Sequence, residues 1–99
     1  MIEYIKEYGV TNMDYDYIVS NIPKDIMDIM TITENSVRDV LDYYNTIGLS
    51  ESVGKIIIKR PDLIIIDKKV LEELISKIEI KTFVNIVKSS IDDLIILGI

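Results

Sequence analysis

The chain has 99 residues, 48% of them hydrophobic, with no Cys, no His and a formal charge of −6. This length sets one domain, residues 1–99, as the expectation. The missing Cys and His exclude a disulfide framework, a thiolate nucleophile, imidazole acid–base catalysis and ordinary zinc sites.

Tyr4-Ile5-Lys6-Glu7-Tyr8-Gly9-Val10 places apolar residues at i, i+1 and i+4, with another two residues further on. That is the inward stripe of one or two helical turns followed by a chain reversal. A second helix then leads into Val19-Ser20-Asn21-Ile22-Pro23, and Ile26 and Ile29 beyond the proline predict a short third one. Thr31 to Glu34 has the spacing of a capping box, with Thr33 and Asn35 as rival N-caps. Val37, Val40, Leu41 and Tyr44 then share one helical face.

Tyr43-Tyr44-Asn45-Thr46-Ile47-Gly48-Leu49 repeats the opening frame. Gly48 suits the left-handed position just past a helix end, and Leu49 is the apolar residue that closes such a turn. Ser50 is placed to cap a helix whose buried stripe is Val53, Ile56 and Ile57, and Arg60-Pro61 ends it, because the residue before proline disfavours helical geometry. The run Ile56 to Ile66 also admits a β-hairpin reading, two β-branched segments around a proline turn. The equivalent stretch around Pro23 lacks that composition, so helix is favoured in both. Asp67 caps a helix carrying Val70, Leu71, Leu74, Ile75 and Ile78, and Thr82 caps one carrying Phe83, Ile86 and Val87. Starting within the first of these, Leu74-Ile75-Ser76-Lys77-Ile78-Glu79-Ile80 repeats the hydrophobic frame without the glycine. Ile91, Leu94 and Leu97 then stand where apolar residues follow each proline.

The spacing from Gly9 to Pro23 is 14 residues and from Gly48 to Pro61 is 13. The expectation is therefore an all-α chain, a short α-solenoid of about three units at approximately 1–30, 31–67 and 68–99. Val37 to Ile66, VRDVLDYYNTIGLSESVGKIIIKRPDLIII, resembles the repeat of the mitochondrial transcription termination factor (mTERF) family. That repeat runs through an amphipathic helix, a Leu-Gly-Leu-like turn, a second helix, and a proline followed by apolar residues. The resemblance implies mTERF-like helical triplets stacked at right angles into a curved solenoid, with nucleic acid bound along a positively charged surface.

Charge is unevenly spread. Residues 1–54 hold 3 basic and 10 acidic side chains, whereas residues 55–88 hold 8 basic and 5 acidic. Lys55, Lys59, Arg60, Lys68, Lys69, Lys77, Lys81 and Lys88 are the candidate nucleic-acid-binding residues, although solubilising an apolar segment explains them as well. An acidic chain repels polyanions at long range. A non-enzymatic binding module for protein, or for a second copy of itself, is thus the leading expectation, and nucleic-acid binding the alternative.

Little else carries chemistry. Gly48-Leu49-Ser50-Glu51-Ser52-Val53-Gly54-Lys55-Ile56 has one residue too many for a phosphate loop and no hydroxyl after Lys55, so it reads as a helix corner. The acidic pairs Asp14/Asp16, Asp25/Asp28, Glu72/Glu73 and Asp92/Asp93 lack calcium-loop spacing, and a solvated face explains them. No catalytic residue, metal, cofactor or small-molecule substrate is expected. The opening residues Met1 to Glu7 carry acids early, unlike a secretory signal. No apolar run approaches the roughly 20 residues of a membrane span, so the expected location is cytoplasmic, without a membrane partner. Among the tyrosines, Tyr8 and Tyr44 fall at core positions, while Tyr15 and Tyr17 are candidates for a partner surface. So are Leu94, Ile95, Ile96, Leu97 and Ile99, because a last unit needs a polar outer face and this one is apolar.

Overall fold

The structure, a computed structural model, describes all 99 residues. It is all-helical, and Pro61 is flanked by helix rather than by strands. An opening 3-10 helix (Glu3–Tyr8) leads through Gly9 to α1 (Asn12–Asn21) and, across Pro23, to α2 (Lys24–Ile32). Then come α3 (Glu34–Thr46), a 3-10 turn (Ser50–Ser52) and α4 (Val53–Lys59). A second 3-10 turn (Pro61–Leu63) precedes α5 (Lys68–Ser76), α6 (Ile80–Ser90) and a closing 3-10 helix (Ile91–Leu97).

Local chemistry sets most boundaries. Thr11 caps α1 by accepting the Asp14 N–H at 3.1 Å. The Asp67 carboxylate caps α5, accepting from Lys69 N–H at 2.9 Å and Val70 N–H at 3.3 Å. α3 ends as its glycine demands: Gly48 has φ +92°, and the Leu49 N–H donates back to the Tyr44 carbonyl at 2.9 Å. That bond is the outer one of a Schellman turn.

Five residues expected to cap helices make no cap bond. The Thr31 and Thr33 hydroxyls donate back to the Met27 and Ile29 carbonyls at 2.9 and 2.7 Å. These bonds extend α2 to Ile32 and leave only Thr33 as a joint before α3, so the capping box is absent and α2 crosses the expected 30/31 boundary. Threonine makes this back-bond readily inside a helix. Asn35 lies inside the first turn of α3, and Glu34 instead accepts from Arg38 at 2.8 Å. Ser50 opens a 3-10 turn and makes no cap bond. Thr82 lies inside α6, which starts two residues earlier at Ile80.

The residue before α6 is Glu79, at φ +73° and ψ 141°. It is the only non-glycine at positive φ, and it occupies the frame position of Gly9 and Gly48. A side chain in that region costs about 1–3 kcal/mol. Glycine would relieve the strain while making the unfolded chain more flexible by about 0.5–1 kcal/mol. Glu79→Gly is therefore expected to raise stability by about 1 kcal/mol, read as a higher urea midpoint at unchanged slope.

The core is one cluster of 23 buried apolar residues. Val37, Val40, Leu41 and Tyr44 enter it from α3, and Val53, Ile56 and Ile57 from α4. α3 packs against the opening helix, α2 and α5, while α4 packs against α1 and the closing helix. Where α1 crosses α4, a Cβ on Gly54 would stand 3.2 Å from the Asp14 carboxylate. Two buried tyrosines stitch this arrangement. Tyr4 donates its hydroxyl to the Met30 carbonyl at 2.7 Å, and Tyr44 donates to the Leu63 carbonyl at 2.6 Å. The Tyr44 ring also stacks on Phe83 of α6, with centroids 6.3 Å apart. The molecule measures 33 × 24 × 22 Å with a radius of gyration of 12.6 Å, close to the ~13 Å of an ordinary globule this size. No helix is long and apolar enough to cross a membrane.

Candidate functional site

The basic stretch does not gather into one open face. Arg60 is only partly exposed, because its guanidinium forks onto Asp62 at 3.0 and 2.9 Å and also donates to the Ile99 carbonyl. Asp62 holds the guanidinium pKa above its ordinary value. Lys68 stands 4.0 Å from Glu72, one turn along α5. Lys69, Lys77 and Lys81 are exposed and make no ion pair.

Three cations do converge. Lys55 and Lys59 are one turn apart on α4, and the Lys55 ammonium donates to the Lys88 carbonyl at 3.2 Å. They border two shallow depressions that share Glu51. One, of about 540 Å³, is lined by Gly48, Ser50, Glu51, Ser52 and Lys88. The other, of about 250 Å³, is lined by Asp14, Glu51, Lys55, Ile58 and Lys59. The glycine- and serine-rich corner between α3 and α4 therefore forms one wall of a polar strip. Two carboxylates stand among its cations, so a bound phosphate would meet repulsion beside attraction.

The carboxylate pairs found in the sequence are all exposed, and no three acidic side chains come together as metal ligands. The most connected charged group had no signal in the repeat pattern. Arg38 forks onto Glu7 at 3.2 and 3.0 Å, takes Glu34 on its third nitrogen, and lies 5.1 Å from the Tyr4 ring centre. Its hydrogen bond holds the Glu7 carboxyl below the usual carboxylate range. This cluster ties the opening helix to α3.

The apolar candidates separate sharply. Leu94 is fully buried and belongs to the core rather than to a surface, and Ile99 is half-buried. A 3-10 helix aligns residues three apart, so Ile91, Leu94 and Leu97 share the inward row, from which Leu97 emerges at the helix end, while Ile95 and Ile96 stand on the two other rows. Ile95, Ile96 and Leu97 are 74%, 77% and 41% exposed. The helix ends as α3 does: Gly98 is at φ +81°, and the Ile99 N–H reaches the Leu94 carbonyl at 3.1 Å. At the matching places α3 carries Asn45 and Thr46, where the closing helix carries Ile95 and Ile96.

At the other end, Tyr15 is half-buried against the core with the Lys6 ammonium 4.4 Å from its ring centre. Tyr17 is 52% exposed and shares the outward side of α1 with Met13, one turn away and 82% exposed. Met13 escaped the sequence reading, although its spacing from Tyr17, opposite Ile18, marks that side. Every exposed large apolar side chain lies within residues 1–32 or 70–97, and none on the chain between. Compared with known proteins, the chain matches no family model, no curated protein and no solved structure.

Proposed function

We propose that the chain is a non-enzymatic helical-repeat binding module whose apolar ends dock protein. The observation that carries this is the exposure of Ile95, Ile96 and Leu97 on a closing helix that the buried Ile91 and Leu94 hold in place. Large exposed aliphatic groups clustered on a firmly anchored element mark contact sites. The tandem reading behind it, with its mTERF-like order of helix, turn, helix and proline, draws on three further features. Gly9, Gly48 and Glu79 all take positive φ at the same frame position. Tyr4 and Tyr44, one position apart in the frame, each bond a carbonyl beyond the proline of their own unit. α4 packs against both α1 and the closing helix, as the middle member of a stack should.

The test is retention by immobilised chain. Wild type is expected to retain protein, free copies of itself included, that an Ile95→Ser/Ile96→Ser double variant does not. Labelled single- and double-stranded DNA and RNA are expected to wash off above about 50 mM salt. If nucleic acid instead stays bound, with a steep salt slope that flattens when Lys55, Lys59 and Lys88 are neutralised, the function moves to the polar strip.

A further inference from the structure

We infer that the partner of the closing helix is α1 of a second copy, so that molecules join head to tail and continue the stack. The inference rests on the binding-module reading and adds the identity of the occupant.

Within one molecule α4 contacts both α1 and the closing helix. Both elements pack on α4, and each leaves apolar side chains exposed: Met13 and Tyr17 on α1, at the head, and Ile95, Ile96 and Leu97 on the closing helix, at the tail. A repeat stack whose terminal units lack a polar outer face keeps an uncovered edge at each end. Seating the tail of one copy on the head of the next covers both edges with the kind of helix contact α4 already makes with α1 and with the closing helix.

Charge selects between pairings. Residues 1–33 hold two basic and six acidic side chains, net −4, while residues 68–99 hold five of each. Two heads meeting would bring like charge together, whereas a head meeting a tail would not. Area sets the strength. At roughly 150–250 Å² for a large side chain, the exposed fractions leave about 300 Å² of apolar surface open on each face. Interfaces are about 60% apolar, so this corresponds to roughly 500 Å² per copy and ~1,000 Å² in total, the lower bound for a specific contact. The association is therefore weak. Being heterologous, it is open-ended unless the rotation closes a ring.

Sedimentation velocity on wild type, Met13→Glu, Ile96→Glu and an equimolar mixture of the two variants tests this. Wild type should grow in average mass with concentration, passing beyond a dimer. Each variant has lost one face and should sediment as an 11.4 kDa monomer. The mixture retains one good head and one good tail, so it should form a 1:1 dimer and nothing larger. Tyr17→Ser and Ile95→Ser provide a second pair should a buried charge disturb folding, which circular dichroism reports. Dimers of Met13→Glu alone would mean tail-to-tail pairing and overturn the proposal. Wild type that stays monomeric at about 1 mM also overturns it. If such a monomer still captures another protein through Ile95 and Ile96, the binding-module reading stands and self-association alone falls.

Discussion

Tyr44→Ala is expected to destabilise the fold by about 4 kcal/mol, a large share of the 5–15 kcal/mol that holds a domain together. The side chain is fully buried, stacks on Phe83 and donates to the Leu63 carbonyl. Removing it opens a cavity where α3, the proline turn and α6 meet. Tyr44→Phe keeps the ring and loses the hydroxyl, leaving a carbonyl without that donor, so it should cost about 1–2 kcal/mol. Urea titration followed by circular dichroism separates the two. The same phenol makes stability fall at high pH. An unfolded tyrosine ionises near its ordinary value of 10.0, while burial pushes Tyr4 up to about 12 and Tyr44 higher still. Above that ordinary value the unfolded chain sheds protons that the folded chain keeps. The tyrosine contribution is thus fully present below about pH 10 and declines as pH rises further. Tyr44→Phe should make this decline shallower.

Gly9→Ala should cost about 3 kcal/mol and Gly48→Ala only about 1 kcal/mol, although the two glycines share one frame position and nearly one φ. Both substitutions force an L-residue into left-handed geometry, at +93° and +92°. What differs is the neighbourhood. A Cβ on Gly9 would meet the Ser50 carbonyl oxygen at 2.8 Å, and that atom is backbone, whereas a Cβ on Gly48 meets nothing within 4 Å. Gly9 is thus where the turn before α1 lies directly on the corner between α3 and α4. Equal losses for the two variants would mean that this turn does not sit there.

The all-helical fold was legible because the inward positions repeat. Val37, Val40, Leu41 and Tyr44, or Val53, Ile56 and Ile57, are buried as their spacing requires. The choice between helix and hairpin around Pro61 was decided by comparison with Pro23, whose surroundings lack strand character. Caps were less legible, because a threonine near a helix boundary has two uses. Thr11 accepts from a free N–H, while Thr31 and Thr33 donate backward and lengthen the helix before them. Which bond forms depends on where α2 packs, and local spacing does not contain that. The candidate surface was half legible. Composition marked residues 94–99 as too apolar, but only the three-residue rows of the closing helix separate Leu94, which faces inward, from Ile95 and Ile96, which face out. The basic stretch misled for a related reason: of its eight cations six are dealt onto α4, α5 and α6, Lys77 lies between α5 and α6, and Arg60, just past α4, is consumed by Asp62 and the Ile99 carbonyl.

Amide hydrogen exchange on wild type, at about 10 µM and about 1 mM, tests the central claim of a stack with two uncovered ends that cover each other. At the higher concentration, protection is expected to rise in Asn12–Asn21 and Ile91–Leu97 together, with Glu34–Thr46 unchanged. A rise confined to the closing helix, or none at either end, would contradict it.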